Sequence, residues 1–422
     1  MAELIADLQI HSKYSRATSK NLSVHTLAEG AKTKGINILG TGDCTHPLWL
    51  KELKENLKEV GGTGIYESGG ILWMLTGEVS TDYTEGDKTH RVHHMFHVPS
   101  FEIADQINER LSKHVDLKID GRPMIKISSS EFVEILMSID KSIMITPAHA
   151  WTPWFGVFGS KSGFDSLEDC YKDQTRHIFS LETGMSSDPA MNWRLSALDK
   201  ITLVSNSDAH SANPWRLGRE ANVFDLKENK ISYKEIVDAV KSKDNKRFLY
   251  TVETDPNYGK YHYDGHRNCN FSCPPEQTKR LNGICPKCKR KLTVGVLSRV
   301  EQLADRPEGF VPKDAIPFKD MIPLYEIISF VMGVEKLYSQ KVLEEQNKLI
   351  NRFGNEFNVL LKVTKDELSK ATSEKIADAI MRIREGKVKF NAGYDGVYGR
   401  PIFNGEVSRS FNSQTSLGDF KN

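Results

Sequence analysis

The sequence of 422 residues contains no long apolar run and no excess of charge of either sign. No stretch approaches the roughly 20 consecutive apolar residues that a membrane-spanning helix requires. The opening residues, MAELIADLQIH, lack the basic segment followed by an apolar segment that marks a secretory signal. The 57 Lys and Arg residues balance 56 Asp and Glu residues, so the net charge neither favours nor excludes a polyanionic partner. We expect a cytoplasmic protein with no membrane partner.

Cysteine is also scarce, and four of the six cysteines crowd into one segment. A disulfide framework is not expected in an intracellular chain. Two cysteine pairs separated by eleven residues are instead typical of a structural zinc site, which can order a segment too polar to form a core. Unrelated buried thiols are the alternative. The predicted zinc ligands are Cys269, Cys273, Cys285 and Cys288.

Short apolar runs alternate with helical amphipathic patterns from residue 1 to about 245. Repeated β-then-α units predict a parallel sheet, and six or more in succession favour a closed barrel with its chemistry at the carboxyl ends of the strands. The predicted strands are 3–10, 36–41, 71–77, 91–98, 143–147, 178–182 and 201–206. We predict a barrel over 1–250, a zinc-binding module over 251–300, a helical nucleic-acid-binding region over 301–405 and a flexible tail over 406–422.

Histidines and carboxylates recur at the ends of these predicted strands. Any one of them could be a cap or a satisfied polar group, but seven successive strand ends of this kind predict a metal site. Imidazoles and carboxylates suit Zn²⁺, Mn²⁺ or Fe²⁺, and a bridging carboxylate such as Glu78 allows two ions to approach. Two or three ions about 3.5–4 Å apart activate water and stabilise an in-line phosphoryl displacement, so the pattern predicts a metal-dependent phosphoesterase. The strand-end residues are Asp7, Gln9, His11, Asp43, His46, Glu78, His93, His94, His149, Glu182, Asp208 and His210.

The motifs DLQIHSKYS, GDCTH, GEVS, RVHHMF, TPAHA and SNSDAH occur in this order and resemble those of the PHP (polymerase and histidinol phosphatase) superfamily. The resemblance implies an α/β fold with a distorted (β/α)7 PHP barrel and a site for two or three metal ions. It implies His11, Asp43, Glu78, His93, His149, Asp208 and His210 as metal ligands, with Gln9, His46 and His94 as further candidates, and catalytic roles for Asp208, Glu78, His11 and Asp43.

This chain departs from the superfamily pattern at three positions. Gln9 stands where the first motif usually has a histidine, Cys44 follows Asp43 so that the histidine is displaced to position 46, and Arg16 replaces a common acidic residue. A glutamine is a weaker metal ligand than an imidazole. One metal position is therefore expected to be weaker or built differently.

Aromatic residues follow two of the ligand candidates on the predicted active-site side. They could stack on an extruded base or wedge a duplex, although core packing is the commoner fate of a tryptophan. An arginine here could bind a phosphate through two hydrogen bonds. The predicted substrate-binding residues are Trp151, Trp154, Phe155, Glu182, Trp215 and Arg216.

The cysteine segment is strongly basic. Residues 257–300 contain nine Lys or Arg residues and two acidic residues, with Tyr258, Tyr261, Tyr263 and Phe271 interleaved. Positive charge beside stacking surfaces suits nucleic acid, and the alternative is a solvated loop around a stabilising zinc ion.

A PHP barrel, a four-cysteine zinc module and a C-terminal helical region together resemble the endonuclease Q family over essentially the whole chain. The resemblance implies cleavage of DNA on the 5′ side of hypoxanthine, uracil, xanthine or an abasic site, leaving a 3′-hydroxyl and a 5′-phosphate, with nucleoid association during repair. Zn²⁺ is expected in the module and in the active site, with Mg²⁺ or Mn²⁺ as alternatives for catalysis. The competing hypotheses are a small-molecule phosphatase and a non-catalytic DNA-binding protein with a degenerate barrel.

The end of the chain carries a short motif. Gln414, Leu417 and Phe420 resemble the peptide that docks on the DNA sliding clamp, although Lys421 replaces its second aromatic residue. The motif predicts the sliding clamp as a second partner, beside DNA containing deaminated or abasic sites.

Overall fold

A computed structural model of the chain describes residues 3–227, 230–334 and 338–403. The clamp-like motif at 414–420 lies outside these residues. Within the described ranges, no helix is both long and apolar enough to span a bilayer.

The first 253 residues contain the elements of the predicted barrel. In chain order they are β1 (Glu3–Asp7), α1 (Val24–Lys34), β2 (Ile38–Gly40), α2 (Pro47–Asn56), β3 (Lys58–Glu59), β4 (Tyr66–Ser68), β5 (Ile71–Glu85), β6 (Lys88–Val98), α3 (Phe101–Leu111), β7 (Met124–Ile125), α4 (Ser129–Ile139), β8 (Met144–Pro147), α5 (Leu167–Tyr171), β9 (Ser180–Glu182), α6 (Pro189–Asn192), β10 (Thr202–Val204), β11 (Ala221–Asp225), α7 (Tyr233–Lys241) and β12 (Phe248–Glu253).

Seven of these strands form a ring. The order β1-β2-β5-β6-β8 is continuous in hydrogen bonding. Ile145 in β8 bridges Ile178 before β9, β9 pairs with β10, and Ile10 after β1 bridges Ala209 after β10. The predicted mixed α/β fold is confirmed. Its distortion comes from β6, which forms a long hairpin with β5 and runs antiparallel to both of its neighbours.

Five strands of this part of the chain were not predicted from the sequence, namely β3, β4, β7, β11 and β12. β11 and β12 pair antiparallel to each other, and β11 also pairs with β1 outside the ring. Their buried apolar residues, such as Phe224 and Phe248, pack on α7 and extend the sheet. Local patterning marks only that such runs are apolar, and the partner strand comes from elsewhere in the chain.

The remaining described elements form the cysteine segment and a mainly helical region. They are β13 (Asp264–His266), β14 (Phe271–Cys273), α8 (Pro275–Arg280), α9 (Val296–Leu303), β15 (Phe318–Asp320), α10 (Leu324–Met332), α11 (Gln340–Phe353), α12 (Glu356–Leu361), α13 (Lys365–Ser369), α14 (Glu374–Arg384), β16 (Lys389–Asn391) and β17 (Arg400–Ile402).

The helical region is built into the barrel. β15 pairs in parallel with β12 and so adds a strand to the barrel sheet. Lys34 Nζ, at the end of α1, donates to Glu356 Oε1 over 2.7 Å, and both side chains are fully buried. Glu356 also accepts from the backbone N–H of Leu324 and from Gln346 Nε2. Because removing one member of a buried ion pair leaves an uncompensated charge, this contact ties the two regions together.

Candidate active site

Six of the predicted ligands gather at the mouth of the ring in two groups of three. His11, Asp208 and His210 offer ligand atoms that all lie within 4.8 Å of one another, and Glu78, His93 and His149 do the same.

Glu78 lies between the two groups. Its Oε2 is 3.2 Å from His11 Nε2, and its Oε1 is 2.6 Å from His93 Nδ1 and 3.7 Å from His149 Nε2. One carboxylate therefore offers a separate oxygen to each group, which is the position of a bridging ligand. Burial opposes its ionisation, but the charge of Arg122 and hydrogen bonds from His11 and His149 hold the pKa of Glu78 well below its usual range.

Three polar residues of the site have left-handed backbone, a conformation that L-residues rarely adopt. Asp43, His149 and Asp208 have φ values of 45°, 31° and 48°. Each lies just after a barrel strand, where the chain turns sharply across the mouth. Left-handed backbone in a non-glycine residue costs about 1 kcal/mol or more, and such residues cluster at functional sites.

Asp43 fixes the orientation of His11. Its Oδ1 is 2.9 Å from His11 Nδ1, and its Oδ2 accepts from the Ser12 backbone N–H, the Ser12 hydroxyl and the Ser15 hydroxyl at 2.6–2.8 Å. His11 Nε2 is thereby turned towards Asp208 Oδ1, at 2.9 Å, and towards Glu78. Asp43 is predicted as a metal ligand, but in the structure its contacts are with His11 and the two serines, and it belongs to neither group of three.

The residues present fit metal ions. His93 Nδ1 and His149 Nε2 face each other at 3.1 Å, and burial and the Arg122 charge lower the pKa of His93 to about 3, so the imidazole is neutral. Gln9 Nε2 donates to Glu78 Oε2 over 2.9 Å, whereas the buried Gln9 Oε1 has no hydrogen-bond partner among the described residues. Converging imidazole nitrogens, carboxylates and an orphaned amide oxygen form a donor set for Zn²⁺ or Mn²⁺.

Two predicted ligands lie outside the cluster. His94 Nε2 is 3.1 Å from the Thr81 hydroxyl and its Nδ1 is 3.0 Å from the Tyr171 hydroxyl, because neighbouring residues of a strand face opposite sides. His46 is the residue before α2, where its ring stacks on Tyr14 and its Nε2 donates to the Lys118 carbonyl. The displaced histidine of the second motif thus begins a helix instead of facing the cluster.

Three of the predicted substrate contacts are structural. Glu182 accepts from the His149 backbone N–H over 2.7 Å and from Asn206 over 2.9 Å. Both of its oxygens are therefore engaged within the protein, where one of them holds the backbone of His149 in place. Trp151 is fully buried and donates to Asn192. Trp215 is buried against Tyr325 of α10.

The other three remain near solvent. Trp154 is 39% exposed and meets Tyr261 edge to face, with ring centroids 5.9 Å apart. Phe155 is half-buried against the His93 ring. Arg216 is half-buried near Tyr398, and together with Lys260 and Arg219 it lowers the pKa of that phenol although burial opposes this.

Arg122 is a site residue that the sequence analysis missed. Its Nη1 lies 3.5 Å from Glu78 Oε1. It stands in a loop before β7, away from every strand-end motif, and no local pattern marks it.

The cysteine module brings three of the four predicted zinc ligands together with a histidine. His266, Cys269, Cys285 and Cys288 have ligand atoms within 4.8 Å of one another. Cys273 is not in this set, and its Sγ is 3.2 Å from the Thr278 hydroxyl. The signal that could have found His266 is its spacing, because His266-x2-Cys269 matches Cys285-x2-Cys288.

The second of these pairs is arranged for a thiolate. Burial opposes ionisation of Cys285, but hydrogen bonds from the backbone N–H groups of Cys288 and Lys287 lower its pKa to about 6. A thiolate is the form that binds zinc.

Comparison with known proteins places this chain beside a family of DNA-processing enzymes. It is similar to the lesion-specific endonuclease PfuEndoQ from Pyrococcus furiosus, with a TM-score of 0.85, 34% sequence identity and coverage of 95% of both chains. It is also similar to endonuclease Q in complex with a 27-mer duplex substrate with an abasic lesion at the active site, with a TM-score of 0.85, 33% identity and coverage of 98% and 100%.

The helical region has a match of its own. A family model described as the MJ0043 C-terminal domain matches residues 323–387. The uncharacterised protein MJ0043 of Methanocaldococcus jannaschii is 32% identical over 308 residues, which are 70% of this chain. The chain spans 37% of the length of that relative.

Proposed function

The chain belongs to the endonuclease Q family and is a DNA endonuclease, and we propose that it hydrolyses the phosphodiester on the 5′ side of a deaminated base (hypoxanthine, uracil or xanthine) or of an abasic site. The products are a 3′-hydroxyl and a 5′-phosphate. The observation that carries the proposal is the pair of ligand groups joined by the two oxygens of Glu78.

The two groups assign a role to each ligand. His11, Asp208 and His210 would hold one metal ion, His93 and His149 a second, and Glu78 would contact both. When bound, such ions supply an activated water and neutralise the oxygens of the phosphate during in-line displacement. Asp43 fixes the tautomer and ring orientation of His11, and Glu182 holds the backbone that carries His149. We propose Zn²⁺ for this imidazole-rich site, with Mn²⁺ or Mg²⁺ as alternatives.

The side chains around the mouth favour an extended polyanion over a small phosphate ester. Trp154 presents an exposed ring and is the neighbour in sequence of Phe155, which packs on His93 of the second ligand group, so an unpaired base could stack there. Lys289, Arg290 and Lys291 are exposed on the cysteine module, where they could contact DNA phosphates. Arg299 is not part of that surface, because it donates to the carbonyls of Phe158 and Phe164 and so docks the module on the barrel.

The tail motif supports a further proposal, that Gln414, Leu417 and Phe420 bind the sliding clamp. Removal of residues 406–422 should abolish binding to the clamp in a pull-down and leave cleavage of a short duplex unchanged. Equal binding by the truncated chain would contradict the proposal.

Cleavage of duplexes with one defined lesion tests the function. Duplexes carrying a single uracil, hypoxanthine, xanthine or abasic site, labelled in turn at each end, should be cut once, 5′ to the lesion, in the presence of Mn²⁺ or Zn²⁺. The same duplex without a lesion and the same reaction with excess chelator are the controls. Hydrolysis of generic phosphate monoesters without any nick would favour the small-molecule phosphatase, and metal-independent DNA binding without cleavage would favour a degenerate barrel.

A further inference from the structure

The loop at 118–123 is pressed onto the metal-ligand cluster. The backbone N–H of Gly121 donates to the Tyr14 carbonyl over 3.0 Å, and the Gly121 carbonyl accepts from the Thr45 hydroxyl. A Cβ atom at position 121 would lie 2.3 Å from Asp43 Oδ2 and 2.4 Å from the Ser15 hydroxyl. Because only glycine permits this approach, the loop is held in one place over the side chains that orient His11.

The next residue points into the mouth. Arg122 Nη1 lies 3.5 Å from Glu78 Oε1, the oxygen that faces His93 and His149. Its side chain is 25% exposed, and the charges of Glu78, Asp208, Asp120 and Asp43 surround it. A separation of 3.5 Å is longer than the usual donor–acceptor distance of a hydrogen bond. The guanidinium therefore lies near Glu78 while its N–H donors remain available to another acceptor.

A fixed positive charge in this position is unfavourable for a site that only holds cations. Like charges repel, and the repulsion is strong where water is excluded. The conflict disappears if an anion lies between the arginine and the metal ions. A phosphate does this well, because the planar guanidinium matches two of its oxygens.

We propose that Arg122 is a further catalytic residue, which binds a non-bridging oxygen of the scissile phosphate and stabilises the charge that develops there. The proposal rests on the proposed function. In the reaction the bond from the water oxygen to phosphorus forms while the bond from phosphorus to O3′ breaks, the water loses a proton and O3′ gains one. Arg122 remains protonated throughout and donates hydrogen bonds only.

A purely structural role makes the opposite prediction for metal binding. If Arg122 only holds Glu78 in place, its removal should displace a bridging carboxylate and weaken the binding of metal. If Arg122 binds phosphate, its removal takes away a repelling charge, and metal should bind equally tightly or more tightly.

The test uses the full chain with Arg122→Gln, Arg122→Lys and, as a matched control, Lys126→Gln. Lys126 lies four residues further on and pairs with Asp82 outside the cluster, with its side chain 72% exposed. We expect Arg122→Gln to slow single-turnover cleavage of an abasic duplex by about 10²–10³-fold. Mn²⁺ titration of the variant, with the zinc ion of the cysteine module left in place, should show an affinity of the barrel site no weaker than that of the wild type. Arg122→Lys should recover part of the rate, and Lys126→Gln should resemble the wild type.

Binding of inorganic phosphate to the Mn²⁺-loaded proteins gives a readout that does not depend on DNA. It should be weaker for Arg122→Gln than for Lys126→Gln. Unchanged cleavage and phosphate binding, or a loss of Mn²⁺ affinity in Arg122→Gln, would overturn the proposal. If the wild type cuts no lesion duplex, the proposed function fails, whereas the phosphate titration still decides the role of Arg122.

Discussion

The barrel mouth and the cysteine module both gather metal-binding side chains, but the protein supports the two sets in opposite ways. In the barrel, ligands project from a large apolar core that includes the fully buried Trp73, Phe96 and Phe132. In the module, the buried cluster consists of Cys273, Cys285 and Leu292. We therefore expect the barrel to hold its ligands in place without an ion, and the module to need a bound ion for its own structure.

The two sites also differ in how their ligands are grouped. The module places His266, Cys269, Cys285 and Cys288 in one group, of which Cys285 is buried and the other three are partly exposed, and a complete set of four ligands suits a structural site. At the barrel mouth the side chains of Asp208 and His210 are 35% and 33% exposed, so this edge is open to a substrate. An open edge is what a catalytic metal site requires.

The largest expected difference between the barrel and the module is in their stability after metal is removed. Metal binding contributes about 10 kcal/mol or more to the folding of small zinc domains, so a strong chelator should unfold the module and leave the barrel folded. Hydrogen exchange measured before and after chelation should show protection lost over residues 264–293 and kept in β5 and β6. Equal loss in both regions, or none in the module, would break the comparison.

Asp208→Ala tests the open edge of the barrel. Loss of a ligand shared with His11 and His210 should lower the single-turnover cleavage rate by about 10³-fold or more. Binding of a lesion duplex, followed by fluorescence anisotropy, should stay within a few-fold of the wild type because the DNA-contacting surfaces are intact. Asp105→Ala, on the outer face of α3, is the control and should cleave normally. Retained activity in Asp208→Ala would remove this residue from the catalytic set.

Ligand identity in the module can be sharpened with two variants. His266→Ala should weaken zinc binding by at least about 100-fold, since even an indirect partner of a metal ligand is worth 10–100-fold. Cys273→Ala should leave zinc affinity within a few-fold of the wild type, because its sulfur lies outside the group and beside Thr278. Competition with a chromophoric chelator measures both. A large loss of zinc affinity in Cys273→Ala with little loss in His266→Ala would instead support the predicted four-cysteine site.

The smallest effect concerns a carboxyl buried beneath the barrel site. Burial raises the pKa of Glu220 to about 8 from 4.5, so between these values the folded protein holds a proton that the unfolded chain has released. The free energy of unfolding should therefore fall as pH rises, by about 1.4 kcal/mol per pH unit from this group. Glu220→Gln should remove that slope, as measured by urea unfolding at pH 5.5, 6.5 and 7.5. An identical slope in the variant would show that Glu220 is ionised in the folded barrel.

Much of the fold and most of the metal cluster could be predicted, because strand periodicity is local information. His11, His149, Asp208 and His210 follow apolar runs, and a ring of strands brings the ends of such runs together. Glu78 and His93 lie inside the longer strands β5 and β6, which extend beyond the predicted bounds. His94 could have been separated from His93 only by knowing which face of β6 is inside.

The missed residues depend on contacts that no sequence pattern contains. Arg122 reaches the cluster because a glycine lets its loop lie on Asp43, which is a contact between residues 78 positions apart. His266 reaches the module ligands because β13 pairs with β14 and turns back towards the Cys285–Cys288 pair. In both cases the tertiary arrangement, and not local propensity, selects the ligand.

Metal counting by native mass spectrometry tests the central claim most directly, that the barrel mouth is a multinuclear metal centre and the module a single structural site. The wild-type chain, loaded with Zn²⁺ or Mn²⁺ and desalted, should carry one tightly held ion and at least two more that bind less tightly. Asp208→Ala should lose one or both of the weaker ions and keep the tight one. A wild-type chain that holds one ion alone would contradict the account.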